Sequence, residues 1–362
     1  MKVALVSRST LFSVRGGDTV QVEETARHLQ QIGVDATIVL THELKHPTAY
    51  DLIHFFNITR PADILKHILH NKTPYVVTPI WIDYAEYDRH HRNGLPGKIF
   101  NRLKPSQVEY IKAIARWLKG KDKYPGPAYR WNGHKKSMRL ILERASALLP
   151  NSIAEYEVIR EQFPTLPPCT VVTTGIDNAL FQPSPYAQKN NRTVLCAARI
   201  EGIKNQLQLI KALNSTEYEL LLIGDAAPNQ RDYYNKCKRT AASNIQFIPF
   251  MSHARLLDYY QKAAVHVLPS WYESCGLASL EAAAAGCRVV ATRKGFASSF
   301  LGDDAFYCEP SSTSSIRQAV DRAMQAEPPI HLQQRIRENN NWHKAALQTS
   351  IAYKKVLDTT CI

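Results

Sequence analysis

The chain has 362 residues and 40.9 kDa, with 44% hydrophobic and 21% charged residues, which excludes wholesale disorder and leaves enough length for two domains. Its 45 Lys+Arg against 32 Asp+Glu give a net charge of +13, and residues 89–144 alone carry +12, fifteen Lys/Arg against Glu109, Asp122 and Glu143, so the basicity is local. No apolar run approaches the ~18 residues that span a bilayer and no signal-peptide core opens the chain; seven scattered cysteines without C-x-x-C spacing exclude a disulfide framework and a zinc site, so the sequence reads as cytoplasmic with reduced thiols.

Short β-rich runs alternate with amphipathic stretches, the signature of βαβ units around parallel sheets. Strands are expected at 2–7, 36–40, 52–56 and 75–78, with a helix over 19–31 after the first. A later helix should begin near Asn151, where Ser152 and Glu155 have capping-box spacing. Three prolines within 163–168 cannot continue a helix or pair in a central strand. They place the junction between two doubly wound domains, residues 1–166 and 167–338. The second domain repeats the rhythm with strands at 193–198, 219–223, 245–249, 265–269 and 288–292. After a polar break at 337–341, the segment 339–362 carries a helix with Trp342, Ala346, Ile351, Tyr353 and Val356 on its apolar side. Periodicity leaves open whether that helix packs on its own domain or returns to the first.

The stretch 270–292 follows the strand at 265–269, so it stands at a strand's carboxyl end, where open α/β sheets bind ligands. Gly276 should open a helix that runs to Gly286, turning the N–H groups of Cys275, Gly276 and Leu277 outward as an anion site. Glu281 lies one turn beyond Leu277, ~6 Å along the axis, about the distance from a phosphate to the ribose of a nucleotide. Glu273 precedes the helix and can face the phosphate from the other side. Two glutamates alone would as readily be solvated acids at a helix start. The context changes the balance: Arg199 follows the first strand of this domain and Lys204 opens the next helix, putting two cations on the same sheet edge as a clamp for a diphosphate leaving group.

Glu273 and Glu281 resemble the E-x7-E pair of family 4 retaining glycosyltransferases of the GT-B fold. Matching stretches continue at Arg15-Gly16-Gly17, at 172–177, at Arg199 with Lys204 and at 222–225. The resemblance implies two facing Rossmann-like, doubly wound parallel-sheet domains around a cleft, with the last helix crossing back to the first domain. It implies that Arg199 and Lys204 hold the donor diphosphate and that Glu281 holds the ribose. Glu273 would contact the transferred sugar, with backbone N–H groups from Cys275, Gly276 and Leu277. Gly16 and Gly17 would let their loop approach the β-phosphate and acceptor, and the loops after Gly224 and at 249–251 would flank the base. The donor would be UDP- or GDP-linked, with no cofactor and no metal. Two departures stand out. Cys275 replaces the usual phenylalanine, and no histidine follows the strand at 75–78, leaving Asp83 and Glu86 as candidate acceptor-side groups that are equally readable as surface acids. His54 reads as a buried strand residue, and His90 and His91 adjoin the basic segment.

Within 89–144 the cations are interleaved with Phe100, Tyr110, Trp117, Tyr124, Tyr129 and Trp131, and Val108, Ile111, Ala115 and Leu118 recur at helical spacing. Such a basic amphipathic stretch favours an anionic membrane surface over packing on its own domain. Nucleic acid is disfavoured, since no groove-reading or base-stacking motif accompanies the charge. The expectation is a retaining, metal-independent transferase that moves a sugar to a saccharide or lipid-linked acceptor for surface polysaccharide or lipopolysaccharide, working peripherally at the inner face of the cell membrane. A sugar-nucleotide epimerase or hydrolase, or a non-enzymatic membrane module on the same scaffold, are the alternatives.

Overall fold

A computed structural model describes residues 1–69, 71–91, 103–120, 122–182 and 189–360. The chain forms two units, Met1–Gly175 with Trp342–Ile362, and Ile176–Asn341.

The first unit runs β1 (Lys2–Ser7), α1 (Gly17–Gln31), β2 (Asp35–Leu40), β3 (Leu52–Phe56), α2 (Pro61–Ile68), β4 (Tyr75–Thr78), α3 (Ala85–His91), α4 (Pro105–Leu118), α5 (Pro127–Arg144), β5 (Ala147–Leu148) and α6 (Ile153–Gln162). Its strands pair in the order β2-β1-β3-β4-β5, all parallel. β3 and β4 are buried along their whole length, because helices cover both faces of a parallel sheet and such strands become continuous apolar runs. The second unit runs β6 (Asn190–Ala197), α7 (Gln206–Leu213), β7 (Glu219–Ile223), α8 (Arg231–Thr240), β8 (Ile245–Ile248), α9 (His253–Lys262), β9 (Ala263–Val267), α10 (Leu277–Ala284), β10 (Arg288–Ala291), α11 (Ala297–Leu301), β11 (Phe306–Tyr307), α12 (Thr313–Gln325) and α13 (Ile330–Asn339). Its order is β11-β10-β9-β6-β7-β8, again all parallel. Alternate residues of β6 feed two cores: Leu195 and Ala197 pack with Leu280 and Val289 on one face, and Val194 and Cys196 with Leu220, Val265 and Ile316 on the other.

The proline-rich segment is not the junction expected from the sequence. Leu148 N donates to Pro168 O, Thr170 N to Leu148 O and Val172 N to Pro150 O, so the chain stays hydrogen-bonded along edge strand β5. Proline's missing donor costs nothing at such an edge, and the chain leaves the first unit after Gly175. It returns at Trp342, where the two backbones touch: a Cβ on Gly175 would stand 2.4 Å from Trp342 N.

The last helix, α14 (Trp342–Thr360), belongs to the first unit and packs on α1. Trp342, Ala346, Tyr353 and Val356 are buried there, whereas Ile351 is 54% exposed; Ala345, Thr349 and Ala352 complete the buried face. Tyr353 Oη lies 2.6 Å from His54 Nδ1, and His54 Nε2 lies 2.7 Å from Thr78 Oγ1, so one imidazole joins β3, β4 and α14.

Part of the basic segment, residues 92–102 and 121 including Phe100, lies outside the described residues, as does the side chain of His91. In the rest, α5 buries Tyr129, Met138, Ile141 and Leu142 and packs on α2. The apolar stripe of α4 divides: Val108 is buried, whereas Ile111 is 40% and Leu118 71% exposed. Lys112 pairs with Asp88 and Glu109, and Arg116 shares Asp122 with Arg60. His90, Lys104, Lys119, Lys123, Arg130, Lys136 and Arg139 are exposed, as is Trp131 at 87%. Among the described residues no helix is long and apolar enough to cross a membrane.

Candidate active site

In the second unit the strand order reverses between neighbours β6 and β9. A doubly wound sheet opens a crevice at such a point, outside the carboxyl ends of its strands. The chain leaves β6 through Arg199 into a tight turn at Gly202–Lys204, and leaves β9 through Ser270 toward Glu273 and Gly276. Backbone contacts lock these exits together. Trp271 N donates to Ile203 O at 2.9 Å. Asn205, buried and left-handed at φ 62°, donates its side-chain amide to Pro269 O and Pro310 O at 3.0 and 2.8 Å. The result brings Lys204 Nζ to 2.7 Å from Glu273 Oε1. Arg199 stands at the same exit with its guanidinium 3.0 Å from Glu201 Oε1, and its carbonyl accepts from Gln206 Nε2 at 2.9 Å. Gly224, at the end of β7, is pressed on this turn: a Cβ there would stand 2.2 Å from Ala198 O.

Glu273 is held on both sides of its backbone. Its N–H donates to Lys294 O at 3.1 Å and its carbonyl accepts from Phe296 N at 2.7 Å. Gly295 makes that seat possible, with φ +87° and a Cβ position 2.2 Å from Glu273 O. Gly276 caps α10 at φ 71°, and its carbonyl accepts from Ser279 N and Leu280 N, so the helix starts where the sequence indicates. The first-turn N–H groups, Leu277 among them, precede the helical ladder and give the end of α10 its positive dipole. Cys275 is 4% exposed and belongs to the hydrophobic core beside α10, so its thiol fills a core position.

Glu281 lies one turn into α10 and is 7% exposed. Tyr260 Oη donates to its Oε2 at 3.4 Å, and His253 Nε2 stands 4.0 Å from its Oε1. Burial pushes this carboxyl up to about 8, against a small opposing pull from the Tyr260 hydroxyl. Burial therefore favours the protonated form of Glu281. Its folded value lies above the unfolded one, so its contribution to stability is intact below about 4.5 and falls as pH rises through about 8. Tyr260 and His253, which the motif does not include, set this environment from α9.

The remaining candidates are in the first unit. Gly16 caps α1 in an extended conformation that any residue adopts, and its N–H donates to Thr19 Oγ1 at 3.0 Å. The loop before Gly16 and Gly17 is fixed by Arg8, another residue the motif does not include. Arg8 grips Asp18 through two nitrogens at 2.6 and 3.0 Å and donates to the carbonyls of Thr10 and Val14. Asp83 is exposed and accepts from Ala85 N at 2.8 Å, starting α3, and Glu86 sits half-buried in the first turn of that helix. His54 is no base: burial pulls its imidazole down to about 3, and both nitrogens are engaged. Thus Arg199, Lys204, Gly224, Glu273, Gly276, Leu277 and Glu281 share one sheet edge, while Gly16, Gly17, Asp83 and Glu86 belong to the other unit. Among the described residues no group of His, Cys, Asp and Glu is arranged to hold a metal ion.

Residues 179–342, nearly all of the second unit, match the family described as Glycosyl transferases group 1. Glycogen synthase of Mycobacterium tuberculosis is 27% identical over 230 residues, covering 59% of this chain and 55% of that enzyme. The match therefore spans little more than half the length of that relative. Among solved structures, sucrose-phosphate synthase of Thermosynechococcus elongatus overlays with a TM-score of 0.78 at 16% identity, covering 99% of each chain. HepE of Anabaena, solved in complex with UDP, overlays with a TM-score of 0.70 at 17% identity, covering 98% of this chain and 100% of that one. At these identities the overlays establish the architecture: two parallel-sheet α/β units of the GT-B fold.

Proposed function

We propose that this protein is a retaining glycosyltransferase that takes a sugar from a UDP- or GDP-linked donor and passes it to a saccharide or lipid-linked acceptor. The observation that carries this reading is the Lys204–Glu273 pair at the β6/β9 crevice, beside the N-terminus of α10 and with Glu281 one turn further on. A diphosphate entering the crevice would draw Lys204 and Arg199 to its oxygens, and the helix dipole would add to the field on the departing phosphate. Releasing Lys204 would free Glu273 to bind sugar hydroxyls, while Glu281, having released its proton to solvent, would accept hydrogen bonds from the ribose hydroxyls and hold the nucleoside. Charge stabilisation of this kind needs neither a metal nor a strong protein base, in keeping with the absence of a histidine after β4. The relatives include a D-inositol 3-phosphate glycosyltransferase, 24% identical over 322 residues, whose name gives a phosphorylated acceptor, and this supports a phosphorylated or lipid-linked acceptor here. Surface polysaccharide or lipopolysaccharide assembly at the inner face of the membrane is the setting that suits the basic first unit.

Titration calorimetry with UDP and GDP tests the donor site. One of the two should bind the wild type, and Lys204→Ala should weaken it by about tenfold to a hundredfold, the range for one lost charge-assisted hydrogen bond. If neither nucleotide binds, or Lys204→Ala binds as well as the wild type, the assignment is wrong.

A further inference from the structure

The first unit contains a buried carboxylate that the donor site does not use. Glu155 is 1% exposed, in the first turn of α6. Its spacing from Ser152 indicates a capping box, and half of one forms: Ser152 Oγ accepts from Glu155 N at 3.1 Å. The other half is redirected. Instead of bonding the Ser152 backbone, one carboxylate oxygen accepts from Trp81 N at 2.7 Å and the other from Asn151 N at 2.6 Å. Capping alone would leave the carboxylate near water. Burying it costs free energy that backbone donors must offset, and desolvation raises the carboxyl to about 7 in spite of both donors.

These donors belong to two turns on the carboxyl edge of the sheet, after β4 and after β5. Asn151 extends the network to a third element, since its Oδ1 accepts from Gln21 Nε2 of α1 at 2.7 Å. The residue just before the clamp is in an unfavourable conformation. Ile80 is buried with φ +46°, a region that a β-branched side chain avoids. Such strain persists only where the surroundings enforce it, and it concentrates at functional sites. The turn leads directly to Asp83 and α3.

We propose that Glu155 is a positioning residue: its buried carboxylate grips Trp81 N and Asn151 N and so holds the left-handed Ile80 turn that presents residues 79–83 on the acceptor-side edge of the first unit. The acceptor role rests on the glycosyltransferase reading above, whereas the clamp does not. Amide hydrogen exchange on the full chain separates the two. In Glu155→Gln, which replaces one acceptor oxygen by a donor, exchange at Trp81 and Asn151 should rise about tenfold or more, the scale of a lost hydrogen bond to a charged group. β1 and β3 should stay protected. Glu155→Asp, which keeps the charge but shortens its reach, should give the same local rise, and combining it with Ile80→Gly should shrink the effect because the strained turn no longer needs holding. With UDP-glucose and GDP-mannose as probes, Glu155→Gln should bind the nucleotide as the wild type does and lose turnover. Unchanged exchange over 79–83, or a rise spread evenly over the first unit in both variants, overturns the proposal. Retained protection with lost nucleotide binding overturns it as well. A wild type that binds no nucleotide defeats the glycosyltransferase reading and leaves the exchange result to judge the clamp.

Discussion

Glu273 owes its seat to a glycine that no motif marks. Gly295 and Gly286 share a left-handed φ of +87°, but their surroundings differ: a Cβ on Gly295 would meet the Glu273 carbonyl at 2.2 Å, whereas one on Gly286 would meet the flexible end of Gln333 at 3.1 Å. Left-handed backbone costs an alanine about 1–2 kcal/mol at either position. At Gly286 the cost should stop near there, because Gln333 can move aside. At Gly295 the backbone itself must shift, taking the Glu273 carbonyl with it. Gly286→Ala should therefore lower the midpoint of thermal unfolding modestly and leave nucleotide binding intact, and Gly295→Ala should lower it further and weaken binding of UDP or GDP by more than about tenfold. Calorimetry on the pair checks this, and equal behaviour of the two variants would remove the role given to Gly295. The comparison also shows which parts of the site could be read in advance. Glu273, Gly276 and Glu281 lie along one strand-to-helix passage, so their spacing carries their geometry. Gly295, Asn205 and Tyr260 act through contacts between distant stretches of chain, which local spacing does not encode.

The elements that were readable share a physical cause. β1, β3, β4 and β7 follow the expected ranges because strands covered on both faces are continuous apolar runs. β5 and β11 have two residues each and no pattern to read, and prolines tolerated beside an edge strand resemble a linker although the chain leaves the first unit only after Gly175. Helix α14 is intermediate: its apolar side was visible, and its partner was not. That partner is α1; His54 adds a hydrogen bond to the helix through Tyr353, and it ties the attachment of α14 to pH. Its folded value of about 3 lies below the unfolded 6.5, so the unfolded chain binds more protons between those limits. The stability it contributes is complete above 6.5 and drains away as pH falls toward 3. A group shifted in this sense changes stability by up to about 1.4 kcal/mol per pH unit within the window. Urea midpoints measured between pH 6.5 and 4 should therefore fall steeply for the wild type and less steeply for His54→Gln. Part of the slope should survive, because burial also lowers His67, His134 and His266. An unaltered slope in His54→Gln would mean that protonation of His54 does not loosen the unit.

At the scale of the whole molecule the charge divides by task. Arg199 and Lys204 are two cations among 45, at the β6/β9 crevice proposed for the donor diphosphate in the second unit, while residues 89–144 concentrate +12 in the first. Ion pairs use Lys112 and Arg116 internally, but Arg130, Lys136 and Arg139 remain exposed, together with Trp131 at 87% and Leu118 at 71%. An indole and a leucine left in water beside several cations suit a surface that is anionic outside and apolar beneath. Electrostatic attraction and apolar insertion respond differently to salt, which allows each to be measured. Vesicles of phosphatidylcholine with anionic phosphatidylglycerol should sediment most of the protein at low salt, and vesicles of phosphatidylcholine alone should sediment only a small, salt-independent fraction. Near 1 M salt, where screening cuts the reach of a charge to about 3 Å, binding should fall to the residue contributed by Trp131 and Leu118. Replacing Arg130, Lys136 and Arg139 together by alanine should weaken binding roughly a hundredfold at low salt, at about 1 kcal/mol for each cation near the lipid headgroups. Trp131→Ser should instead remove the portion that persists at high salt. Nucleotide binding, proposed for the second unit, should be unchanged in both variants, and circular dichroism and the thermal unfolding midpoint should match the wild type, so that a loss of vesicle binding cannot be put down to misfolding of the first unit. Equal sedimentation with neutral and anionic vesicles would leave the basic segment without a membrane role.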